Sequence, residues 1–97
     1  GGSAGITRSI NSIAINTSFA AVAAVDYVYI FTGATSRTGT LPTAVSNTNS
    51  YTVKNAGSVN MDVATTSSQT IDGNLTLTLT PGQSVVLYSN NTNWVIT

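Results

Sequence analysis

Cysteine, histidine and glutamate are all absent from this chain. Without cysteine no disulfide can brace the fold. Without cysteine or histidine, the common zinc patterns and the Ser-His-Asp and Cys-His arrangements of nucleophilic catalysis are excluded. Charge is also scarce. Arg8, Arg37 and Lys54 are the basic residues and Asp26, Asp62 and Asp72 the acidic ones, 6% of the chain where roughly a quarter is usual. A net charge of zero offers no attraction to phosphate backbones or anionic membranes, so nucleic acid is not an expected partner. No apolar run approaches the ~20 residues of a membrane span. The longest, FAAVAAVDYVYIF, is interrupted by Asp26, so membrane insertion is not expected. No basic segment leading into an apolar core marks a signal peptide.

The groups that remain give chemistry little to work with. Lys54 would have to serve any Ser-Lys dyad, and it reads more simply as a solvated residue at a strand end. Asp72 stands in an Asp-Gly turn, Asp62 on the outward side of a strand, and Asp26 ahead of one, with no spacing that suggests a carboxylate pair in one cleft. Asn60/Asp62 and Asp72/Asn74 are isolated i, i+2 pairs, too few oxygens for a calcium loop. No enzyme, cofactor or metal is expected. The N-x-[ST] matches at Asn16, Asn74 and Asn90 are what chance gives in a chain so rich in Asn, Ser and Thr.

What is present is β-branched and hydroxylated. The 97 residues make one domain, 41% apolar, with Thr, Ser and Asn filling much of the rest. Residues 1–8, GGSAGITR, read as a flexible lead-in or an artificial leader, and 9–97 as the folded domain. Period-two patterning marks strands. Ile13 and Ile15 share a face in SINSIAINT. Tyr27, Tyr29 and Phe31 oppose Val28 and Ile30 in DYVYIFTG. Tyr51 and Val53 pair in SYTVKN, and Val59, Met61 and Val63 point inward in SVNMDVAT. Leu75, Leu77 and Leu79 alternate with threonines in LTLTLT, and Val85 and Leu87 oppose Val86 and Tyr88 in QSVVLYS. A short extended piece surrounds Ile71, and NWVIT closes the chain. SFAAVAAV fits a helical turn, a loop or a strand approach, while GATSRTG reads as a break and TLPT as a short extended piece. No internal repeat is evident. The expectation is all-β: a single small antiparallel β-sandwich, jelly-roll-like, of about eight short strands.

Two strands carry apolar residues on both faces, which calls for cover on both sides. In so small a chain the second cover can be another subunit. Tyr27, Val28, Tyr29, Ile30, Phe31, Val86 and Tyr88 are therefore the candidate oligomer interface. For Trp94 a core or interface position is the simpler expectation and a sugar-stacking platform the alternative. With Tyr88, Asn91 and Asn93 from the polar turn SNNTN, it makes up a candidate glycan contact.

The run TLPTAVSNTNSYTVKNAGSVNMDVATTSSQTIDG, followed by LTLTPGQSVVLYSNNTNWVI, resembles a module at or near the ends of bacteriophage tail fibres, tail spikes, baseplate proteins and head fibres. The order of the pieces carries the likeness: TLPTA, Y-T-V-K-N, G-S-V, S-Q-T-I-D-G, P-G-Q-S-V, N-W-V-I. DYVYIFTG fits it as well, so that residues 9 to 97 are covered, with SFAAVAAV more alanine-rich than the pattern. The resemblance implies a trimeric β-sandwich on the virion surface, assembled in the bacterial host cytoplasm. Its implied partners are further copies of itself, other virion proteins and a cell-surface glycan, and its implied role is host attachment. A monomeric carbohydrate-binding domain and a capsid decoration protein are the competing readings.

Overall fold

The computed structural model describes residues 11–21 and 26–97. The lead-in over 1–8 and part of SFAAVAAV fall outside the described residues. Within them there are nine strands and no helix: β1 (Asn11–Ile15), β2 (Phe19–Ala20), β3 (Tyr27–Phe31), β4 (Thr38–Thr40), β5 (Ser50–Asn55), β6 (Met61–Ala64), β7 (Thr76–Leu79), β8 (Ser84–Ser89) and β9 (Trp94–Ile96). They form a wide sheet ordered β1-β3-β5-β8-β9 and a narrow sheet ordered β2-β4-β6-β7.

The all-β, two-sheet expectation holds, but the antiparallel jelly-roll arrangement does not. β1, β3 and β5 pair in parallel, as do β2, β4 and β6. From β1 to β6 the chain visits the two sheets alternately, so each coil lays one strand in each and returns in the same direction. The crossover that parallel pairing requires is here a strand of the opposite sheet. Only the last third reverses: β7 runs antiparallel to β6, β8 to β5 and β9 to β8. The architecture is a short two-sheet coil closed by an antiparallel end.

Alternation places the core as the sequence suggests. Tyr29, Phe31, Tyr51, Val53, Leu87 and Trp94 from the wide sheet meet Met61, Val63 and Leu79 from the narrow one, with Leu41, Ala44 and Ile71 supplied by connections. In-register rows run across the wide sheet, such as Tyr27–Tyr51–Leu87–Ile96. Rings stack at the β2/β3 end, with Phe19 against Tyr29 at 4.6 Å and Tyr27 against Tyr29 at 4.5 Å. Leu75 departs from the expected inward set: it lies just before β7 and is 58% exposed.

The coils also reveal a repeat that the sequence reading missed. Tyr27 aligns with Tyr51 and Thr38 with Asp62, so the sequence offset is the same in both sheets. YVYIFTG and YTVKNAG are then equivalent turns, each ending in glycine. The preceding coil is shorter, since Asn11 aligns with Tyr27, and this unequal length hides the period. The ladder continues through the turns: Ala56 N–H donates to Phe31 O at 2.8 Å and Ser58 N–H to Gly33 O at 3.2 Å. A side chain at Gly57 would collide with the Gly33 carbonyl, a backbone atom that cannot swing away, and crowd the Phe31 ring. Gly57→Ala is expected to cost about 2–4 kcal/mol and to lower the melting temperature by roughly 10 °C or more. A thermal melt within a few degrees of wild type would show that the turns can separate freely.

Candidate functional site

Two surfaces hold the candidate residues. The first is the outer face of the wide sheet. Residues that alternate with the core set there fall into registered rows: Val28–Thr52–Val86, Ile30–Lys54–Ser84 and Ser50–Tyr88–Val95. Val28, Ile30, Val86 and Val95 are half-buried, and Tyr88 is 44% exposed. Lys54 carries the single charge in these rows. The structure thus divides the candidate interface residues. Val28, Ile30, Val86 and Tyr88 share this outer face, Tyr29 and Phe31 point the other way into the core, and Tyr27 packs half-buried against that core. Pleating forces the division, because successive residues of one strand cannot serve the same surface.

The second surface is at one end of the two sheets, where the connections 41–49 and 65–70 meet the β8–β9 turn. Gln69, buried, accepts Ala44 N–H at 2.8 Å through Oε1 and donates from Nε2 to Thr43 Oγ1 at 2.9 Å. Thr65 donates to Gln69 O at 2.5 Å and Thr66 to Leu41 O at 2.9 Å. Ser46 N–H donates to Asn91 Oδ1 at 2.7 Å, and Ser89 Oγ donates to Ala44 O. Thr70 N–H donates to Asn93 Oδ1 at 2.9 Å. Ser46, Ser67, Ser68 and Asn91, with φ of 58°, 56°, 56° and 74°, hold left-handed backbone here. Such conformations cost energy outside glycine and persist where surrounding contacts over-determine them. The outcome is one neutral, hydroxyl- and amide-rich surface with no charged residue in any of the three connections.

The candidate glycan residues divide as well. Trp94 is 1% exposed, with Tyr51 perpendicular to it at 5.4 Å, so it is a core residue and no sugar platform. Asn93 is a half-buried strut that holds Thr70. Asn91 stays exposed at the loop surface, and Tyr88 stays exposed on the sheet face. Sequence reasoning missed Val45, which is 53% exposed beside Ser46, and the part of Gln69 in joining two loops. The separation of 25 residues between Ala44 and Gln69 leaves no local signal. Among the described residues no cluster of metal-ligating side chains occurs, and no concave pocket forms.

No family model, curated protein or solved structure matches this chain.

Proposed function

We propose that this chain is a non-enzymatic structural and attachment module on the surface of a bacteriophage particle. In this reading it assembles as a homotrimer and presents loops to the host surface. The reading begins from the resemblance of residues 9–97. The observation that supports it best is the outer face of the wide sheet, where Val28 and Ile30 on β3 form one apolar strip and Val86, Tyr88 and Val95 on β8 and β9 a second, separated by Ser50, Thr52 and Lys54 of β5. Apolar side chains on the outer face of a sheet call for cover by a further surface. The loop surface around Ser46 and Asn91 carries hydroxyl and amide groups that can hydrogen-bond the hydroxyls of an uncharged glycan. Few Lys or Arg positions are open to trypsin-like proteases, which suits a part that has to last outside the cell.

The test is the solution mass of the purified chain and of two variants. A trimer has three times the protomer mass of 9.9 kDa. Val28→Glu and Ile30→Glu each place an unpaired charge in the proposed interface, at a cost of several kcal/mol if it is buried. They are expected to lower the mass below three times the protomer mass of 9.9 kDa with the β-sheet circular dichroism retained. A wild-type mass of 9.9 kDa at all concentrations would overturn the trimer. Folded variants with unchanged mass would remove this face from the interface.

A further inference from the structure

The two sheets end differently on the C-terminal side. The outer edge of β9 is closed, because Trp94 N–H donates to Thr70 O at 2.8 Å, Asp72 N–H donates to Trp94 O at 3.0 Å, and Ile71 bridges Trp94. The outer edge of β7 has no such cover among the described residues. Backbone alternation identifies which groups are open. Asp62 N–H donates to Arg37 O, and Ala64 O accepts Leu41 N–H, so these two residues face β4. Met61 and Val63 therefore face β7 and bond with their register partners Leu79 and Leu77. The peptide groups of Thr76 and Thr78 must then point outward along the free edge.

Natural sheets guard such an edge with charge, proline, a bulge or a covering element. β7 has none of these: its pairing is regular throughout, and no charged residue occurs from Gly73 to the end of the chain. Leu75, just before the strand, is 58% exposed. The occupant of this edge needs an open edge of its own, apolar residues on the inner side and hydroxyls on the outer side. The same strand of a second copy meets all three conditions.

The geometry points to β7 as an edge that pairs antiparallel with β7 of a second copy about a two-fold axis through Leu77. In this register Thr76 stands opposite Thr78 of the second copy, and Thr78 opposite its Thr76. Each pair exchanges two backbone hydrogen bonds. Leu77 meets Leu77 on the inner side. The two narrow sheets merge into one continuous sheet. This contact goes beyond the sheet-face interface proposed above and uses different residues. With both contacts made, trimers associate further through β7, and the assembly exceeds three times the protomer mass of 9.9 kDa.

Cysteine cross-linking tests the register, and the cysteine-free chain gives it a clean background. Directly opposed residues lie ~5.5 Å apart at Cα, within disulfide range, whereas Thr76 and the Thr76 of the second copy are diagonal at roughly 7–8 Å. The Thr76→Cys/Thr78→Cys double variant, oxidised at native concentration, is expected to run on a non-reducing gel at twice the protomer mass of 9.9 kDa. Either single variant is expected to stay at 9.9 kDa. Thr76→Pro removes only an outward N–H, so it should keep the wild-type circular dichroism and melting temperature while weakening edge association at least about tenfold. A double variant that cross-links no better than the singles, or a folded Thr76→Pro with unchanged self-association, overturns the edge pairing. Either result leaves the trimer reading to stand or fall on Val28→Glu, whose effect does not depend on β7.

Discussion

Trp94→Ala is expected to unfold the domain, not to silence a binding surface. The indole is 1% exposed, stands perpendicular to the Tyr51 ring at 5.4 Å, and sits on the strand whose backbone holds both Thr70 and Asp72. Truncating a buried Trp to Ala costs about 3–5 kcal/mol, a large part of the roughly 5–15 kcal/mol that holds a small domain together. The melting temperature is expected to fall by roughly 15–30 °C. Trp94→Phe is the informative control. The indole N–H is buried with no hydrogen-bond partner, so removing it relieves an unsatisfied donor and offsets part of the lost volume. Trp94→Phe should therefore lie much closer to wild type than Trp94→Ala in a thermal melt. Equal losses for the two would mean that the indole nitrogen has an acceptor after all. A Trp94→Ala protein that melts like wild type would place the ring outside the core.

The second large effect is expected at Asn55, which a surface-minded reading of YTVKN passes over. Its side chain is fully buried. Nδ2 donates to Val59 O and to Leu79 O, both at 2.8 Å, and Oδ1 accepts Gly57 N–H at 3.0 Å. Its backbone N–H donates to Gln83 O and its carbonyl accepts Gly82 N–H. One amide thus ties the β5–β6 turn to the end of β7, and the backbone of the same residue ties both to the β7–β8 turn. Asn55→Ala would leave Gly57 N–H and Val59 O without their side-chain partner and remove the second bond to Leu79 O. Each orphaned group costs about 1–3 kcal/mol. A total of about 3–5 kcal/mol is therefore expected, read as a loss of that size in denaturant unfolding. Asn55→Asp keeps the acceptor for Gly57 but loses both donated bonds, so it should be no better. A loss below about 1 kcal/mol in Asn55→Ala would mean that water takes over the role of the amide.

Both residues show how far local pattern carries. Phe31 and Asn55 are register partners on adjacent coils, one apolar and one amide, at the same position of the same turn. The inward side of Asn55 follows from Tyr51 and Val53 by period two. Its role does not, because its partners Val59 and Leu79 come from other strands and turns. Trp94 likewise reads as inward by alternation with Val95, yet only the packing of Tyr51 against it separates a core ring from a sugar platform.

Sequence by itself determined the all-β character, the absence of catalytic and metal-binding chemistry of the His and Cys kinds, and the inward residues of nearly every strand. These follow from composition and from the two-residue period of a pleated backbone, both local properties. Only the tertiary structure decided that the first six strands pair in parallel, that β2 forms in a stretch open to a helical turn, a loop or a strand approach and β4 at the end of a turn-rich break, and that of the two opposed faces of β3 the one with Tyr29 and Phe31 is the core. It also decided that connections 25 and 45 residues apart, through Gln69 to Ala44 and Asn91 to Ser46, build one surface. The physical reason is that alternation states which way a side chain points and nothing about which strand lies beside it. Neighbours are chosen by the path of the chain between sheets, and at β7 by what is left unpaired when that path ends.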